Sequence, residues 1–153
     1  MEEAIKLFKY QGKIGISRGL TKIMRIYLDY HRFSLPELDF VIPVPLHRRK
    51  LKERGFNQAE IIAKFIASYL NLPLVRDGLI RVRFTNSQTQ LKRKERLINV
   101  KGAFKVKRGE RFKGKRVLLV DDVYTTGVTL NEVAREIKKT KAEVYVSALA
   151  RTP

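Results

Sequence analysis

The chain of 153 residues has no cysteine, no tryptophan, two histidines and five prolines. Without cysteine there can be no disulfide and no thiolate zinc site, and two isolated histidines cannot close a metal site alone. No zinc is expected, and any metal should arrive with a ligand. An uncharged apolar stretch of about 18 residues, the length that spans a bilayer, is also missing, so no membrane insertion is expected. The opening MEEAIKLFKY starts acidic and lacks the apolar core of a secretion signal, which points to the cytoplasm.

Acidic residues are scarce, with 15 Asp and Glu against 33 Lys and Arg, for a net charge of +18. The imbalance is uneven. Arg76 to Arg116 holds 15 basic against 3 acidic residues, and His47 to Arg54 holds 5 against 1. Such concentration suits polyanionic partners, either phosphorylated small molecules or a nucleic-acid backbone. A solvated Lys- and Arg-rich surface would give the same composition. The 44% of hydrophobic residues suffices for one conventional core, so a single domain over residues 1–153 is expected.

Periodicity supplies the elements. Ile16, Leu20, Ile23, Met24, Tyr27 and Leu28 recur at helical spacing between Lys13 and Tyr30. Phe40 to Val44 reads as a short strand halted by Pro43 and Pro45, and a basic turn follows. Asn57 opens a second helix through Leu70, stopped by Asn71 and Pro73. Leu74-Val75, Leu79 to Phe84 and Phe104 to Val106 look like strands. Thr85 to Asn99, polar and weakly periodic, reads as a mobile connection.

Val117 to Val120 is a continuous β-rich run of the kind buried on both faces of a parallel sheet. A helix carrying Leu130, Val133, Ala134 and Ile137 follows, then a strand from Glu143 to Ala150. Strands alternating with helices predict an α/β fold with a mainly parallel sheet flanked by helices, Rossmann-like in layout.

Chemistry gathers where the buried run ends. Asp121-Asp122 falls at the carboxyl edge of the sheet, where open α/β folds bind ligands. Paired carboxylates accept the hydrogen bonds of vicinal ribose hydroxyls, and either could meet magnesium directly or through water. Thr125-Thr126-Gly127-Val128-Thr129 then places hydroxyls around a glycine at a helix start, an arrangement that binds phosphate. A solvent-facing strand end and an ordinary capped turn would explain either piece alone; their order favours a ligand site.

VLLVDDVYTTGVT closely resembles the signature by which type I phosphoribosyltransferases bind phosphoribosyl pyrophosphate (PRPP). The resemblance implies that Asp121 and Asp122 hold ribose hydroxyls, with Val123, Tyr124, Thr125, Thr126, Gly127, Val128 and Thr129 around the 5-phosphate. PVPLHRRKLKERGFNQAE, from Pro43 to Glu60, is similar to the matching stretch of the ComF/GntX family. So are Thr85, Gln88, Leu91, Arg96, Asn99 and Ala103-Phe104 in the following loop, and Lys9-Tyr10-Gln11-Gly12 before the domain. The chain departs from that family in lacking its cysteine zinc ribbon. On this basis residues 1–35 form a helical hood segment and residues 36–153 the PRPP-binding core.

The type I fold implies a pyrophosphate turn at Leu46, His47, Arg48 and Arg49, where backbone N–H groups and guanidinium charges would meet the anion. Arg54, Gly55, Phe56, Asn57 and Gln58 are expected to complete the pocket, Gly55 by allowing close approach and Asn57-Gln58 by offering amides. His47 reads as either a surface residue or a participant. The Thr85 to Asn99 stretch resembles the loop that closes over PRPP, with Lys92, Arg93, Lys94 and Arg96 neutralising pyrophosphate. The same residues could grip nucleic acid or merely keep a loop solvated. Phe84 and Phe104 are expected as core or loop anchors.

Cleaving the bond between ribose C1 and pyrophosphate builds positive charge on the sugar and negative charge on the leaving group. Asp121, Asp122 and Arg96 are the expected catalytic residues, with magnesium carried in by pyrophosphate. No segment displays a base pocket, so the acceptor is unspecified. Two functions follow: a magnesium-dependent phosphoribosyltransferase, possible as a homodimer, or a competence-type, nucleic-acid-associated factor for DNA uptake or processing, with single-stranded DNA or another nucleic acid as partner and PRPP bound for regulation or by inheritance.

Overall fold

The computed structural model describes residues 14–31, 34–84 and 99–151. Helix α1 (Ile14–His31) matches the predicted period. Its buried stripe is narrower than expected: Met24 and Leu28 pack inward, whereas Ile23, Ile26, Tyr27 and Tyr30 are exposed. Among the residues of α1 whose burial is described, Met24 and Leu28 join the layer built around helix α3 described below.

Strand β1 (Phe40–Pro43) is followed by helix α2 (Arg48–Arg54), where a basic turn was expected. This correction has a local cause. His47 caps the helix, its Nδ1 accepting from Arg49 N at 3.3 Å, and Gly55 closes it in the left-handed conformation at φ 77°. Asn57 then caps helix α3 (Gln58–Leu70), which ends on Asn71, also left-handed. Leu74 meets Val41 in a single parallel bridge.

Of the stretch Leu79 to Phe84, only Leu79–Arg81 is strand β2; it pairs antiparallel with β3 (Phe104–Val106) as a separate ribbon. After a 3-10 turn (Gly109–Phe112) come β4 (Arg116–Tyr124), helix α4 (Val128–Lys138) and β5 (Glu143–Arg151). The main sheet runs β1-β4-β5, all parallel. The predicted α/β architecture thus stands, with the antiparallel ribbon as its addition. Among the described residues no helix is long and apolar enough to cross a membrane.

Alternation along β4 divides the core. Val117 and Leu119 join Val128, Leu130, Val133 and Ile137 of α4 on one face. Leu118 and Val120 join Ile62, Ala63 and Ile66 of α3 on the other. Each fully buried aliphatic side chain contributes about 1.5–3 kcal/mol, so the sheet's central strand is its most firmly held.

Strand lengths differ at the carboxyl edge. β1 ends with Pro43 opposite Val120, and its last link is Val44 N to Val120 O at 2.8 Å. β4 continues four residues further beside β5, to the pair Tyr124 and Arg151. Pro43 and Pro45 have no N–H with which to prolong the ladder.

Candidate functional site

Asp121, Asp122, Val123 and Tyr124 are those four extra residues of β4; Asp121, Val123 and Tyr124 pair with Ala148, Ala150 and Arg151 of β5 where β1 has already turned away. By alternation Asp121 follows Val117 and Leu119 toward the α4 face, and Asp122 follows Leu118 and Val120. The Asp121 carboxylate is oriented by its neighbour, Oδ1 accepting from Asp122 N at 2.8 Å.

Thr125, Thr126 and Gly127 form the loop, and Val128 and Thr129 begin α4. Gly127 is the helix cap at φ 71° and has no side chain to cap the first-turn amides, which sit at the positive end of the helix dipole. A Cβ there would come within 2.6 Å of Tyr124 Oη, so both conformation and closeness require glycine. Among the described residues, Thr126 Oγ1 is buried with no hydrogen-bond partner. A buried hydroxyl without a partner is unfavourable, and a ligand oxygen would satisfy it.

Leu46 and His47 lie in the connection after β1, and Arg48, Arg49 and Arg54 lie on α2. Arg54 stands about 9 Å along the axis from Arg48, at 1.5 Å per residue, so the helix separates it from the turn. Gly55 closes α2 in the left-handed conformation, and a Cβ there would meet no atom within 4 Å among the described residues. Gly55 and Phe56 line a hollow of about 320 Å³ with Leu51, Ile61, Lys64 and Arg76, and none of residues 121–129 lines it.

The Asn57 amide is committed to the fold: Nδ2 donates to Val44 O at 3.0 Å and Oδ1 accepts from Ala59 N at 3.2 Å. It thereby fixes the exit of β1 beside the aspartates. Gln58 is buried to 1% exposure. Thr85, Gln88, Leu91, Lys92, Arg93, Lys94 and Arg96 fall outside the described residues, as do Lys9 to Gly12. The Asn99 carbonyl accepts from Arg83 Nη2 at 3.0 Å.

Two site neighbours escaped sequence reasoning. Arg81, at the end of β2, lies in the field of Asp121 and has its guanidinium over the Phe104 ring at 5.2 Å. Burial lowers its pKa from the usual value, and the Asp121 carboxylate opposes that shift. Glu132 is buried on α4, with Oε1 accepting from Gly102 N at 2.7 Å. It ties α4 to the residues just before β3. A carboxylate inside an apolar helical stripe was the available signal for Glu132; Arg81 gave none.

Among the described residues no three His, Cys, Asp or Glu side chains converge as a metal cage. Asp121 and Asp122 fit a cation that brings its other ligands with it.

Comparison with solved structures shows the type I phosphoribosyltransferase fold. An adenine phosphoribosyltransferase from Trypanosoma brucei, in complex with AMP, pyrophosphate and ribose-5-phosphate, superposes with a TM-score of 0.56 at 16% identity, over 93% of this chain and 55% of that one. The phosphoribosyl transferase domain model matches residues 57–151. The chain belongs to the phosphoribosyl transferase family, in its type I, ComF-like branch. Competence protein F of Haemophilus influenzae is 37% identical over 96% of this chain and 66% of its own length. A DNA utilization protein of Salmonella typhi is 31% identical over 94% of this chain and 64% of its own. The chain thus spans about two thirds of the length of these relatives.

Proposed function

We propose that the protein binds PRPP at the β4–α4 junction and transfers its ribose 5-phosphate to an acceptor, releasing pyrophosphate. One observation carries this reading: a buried, unpartnered Thr126 hydroxyl beside an uncapped helix start, directly after two carboxylates. The first-turn amides of α4 and the Thr126 hydroxyl hold the 5-phosphate. Asp121 and Asp122 accept from the ribose hydroxyls and favour positive charge as it develops on the sugar. Arg48 and Arg49 attract the departing pyrophosphate. Magnesium carried in with pyrophosphate would neutralise leaving-group charge, and Asp121 and Asp122 are the residues that would help to hold it.

Calorimetric titration with PRPP, with and without magnesium, tests the binding. The wild type should give magnesium-dependent heat, and Asp121→Asn with Asp122→Asn should weaken affinity at least about tenfold, since each charge-assisted bond is worth about 1.5–3 kcal/mol. Full affinity in the double variant would sink the assignment. Pyrophosphate release in the presence of candidate acceptors tests turnover.

A second reading is a competence-type factor that handles single-stranded DNA, with PRPP binding regulatory. It is favoured by the names of the relatives and by the basic side chains of α2 beside the site. Salt-sensitive binding to single strands supports it.

A further inference from the structure

Of the two phenylalanines expected as core or loop anchors, Phe104 lies in the core at 1% exposure, whereas Phe84 is 40% exposed. Phe84 lies three residues past β2, and side chains from the other side of the site converge on it. The His47 ring meets it edge-on, with centroids 5.4 Å apart and planes at 72°. Arg49 Cζ lies 5.0 Å and Lys50 Nζ 5.8 Å from its centroid. Arg49 also pairs with Glu53, Nε to Oε1 at 3.3 Å, and both of these side chains are exposed, so solvent screens the pair and a stronger anion can compete for the guanidinium. A ligand that carries anionic groups beside an apolar, stackable part would cover the half-exposed ring and meet the basic side chains of α2 together.

Single-stranded nucleic acid has that chemistry: bases stack on aromatic rings while phosphates pair with Lys and Arg. An acidic peptide would use the cations and leave the ring idle. The geometry also joins two places that sequence spacing keeps apart, because Arg49 and His47 belong to the turn read as the pyrophosphate site. Resting on the nucleic-acid reading above, we propose that Phe84 is a base-stacking platform whose phosphate-holding partners, Arg49 and Lys50, are shared with the pyrophosphate end of the PRPP site. Single strands and pyrophosphate-bearing ligands therefore compete.

The test is fluorescence anisotropy of a labelled oligothymidylate with the full chain as wild type, Phe84→Ala and Phe84→Trp, each checked by circular dichroism melting. Loss of one stacked base predicts about five- to hundredfold weaker binding for Phe84→Ala, with Phe84→Trp at or above wild-type affinity. Magnesium PRPP, or inorganic pyrophosphate alone, should raise the apparent Kd of the wild type at constant ionic strength. Unchanged affinity in Phe84→Ala overturns the platform, and so does displacement by polyglutamate that is equal in wild type and Phe84→Ala. Indifference of strand binding to saturating pyrophosphate overturns the sharing. Direct calorimetry with PRPP and no DNA judges the PRPP reading separately, so its failure leaves the Phe84 comparison decisive.

Discussion

Replacing Gly127 with alanine should injure the protein in two separable ways. The backbone at φ 71° is left-handed, which costs a residue with a Cβ about 1–2 kcal/mol. The new methyl would also stand 2.6 Å from Tyr124 Oη and 2.9 Å from Tyr124 Cζ, so the ring must swing away. That ring packs against the core below it and has Arg151 Cζ 5.8 Å from its centroid. Overpacking of this kind costs about 1–3 kcal/mol. Together the two amount to about 2–5 kcal/mol, and at about 2–4 °C per kcal/mol for a chain of this size the Tm should fall by about 4–20 °C. A double-mutant cycle with Tyr124→Ala, followed by thermal melting, separates the parts. With the ring gone, only the conformational cost should remain, giving a coupling of about 1–3 kcal/mol between positions 124 and 127. Strict additivity would show that the methyl never meets the ring. A loss below about 0.5 kcal/mol in the single variant would refute the left-handed assignment as well.

Thr126→Val removes the buried hydroxyl at constant shape. Stability should hold or rise by up to about 1–3 kcal/mol, while PRPP affinity in calorimetry drops about tenfold; a clear fall in Tm would mean the hydroxyl has a protein partner. Asp39 governs a pH effect. Its carboxylate accepts from Arg116 N at 2.8 Å and Lys115 Nζ at 3.1 Å, and these bonds hold its pKa below the usual carboxylate range. The stability it lends is complete above its unfolded pKa and is lost as pH falls through the lower folded value. Asp39→Asn should therefore flatten the acid side of the Tm profile; an unchanged slope below the ordinary carboxylate pKa would contradict this.

Much of this could be read from the sequence because the governing signals are local. The β4–α4 junction depends on one apolar run, one glycine and one helical period, all contiguous, and its elements fell within a few residues of expectation. The helix at Arg48–Arg54 was hidden because seven mostly charged residues carry no apolar period, and its stability comes from caps at His47 and Gly55. Asn57 read correctly as a cap, but its bond to Val44 O crosses 13 positions and appears only once α3 packs against β1. Tertiary approach alone brings Arg81 near Asp121, or Phe84 to Arg49. On α1, amphipathic spacing marked a broad face, whereas Ile23 and Tyr27 stay exposed while Met24 and Leu28 pack into the α3 layer.

The unequal lengths of β1 and β4 have a consequence of their own. Beyond Val120 the central strand is a cantilever, held along one edge by β5 and, among the described residues, joined by no strand along the other. That opening in the sheet is set before any side chain is chosen, by where a neighbour stops and by two prolines that forbid its extension. Residues at positions 121–124 can change the chemistry offered there without moving the opening itself. One scaffold can in this way carry a transferase in one protein and a ligand sensor in another, since the geometry of access is written in the backbone and the use made of it in a few exchangeable side chains.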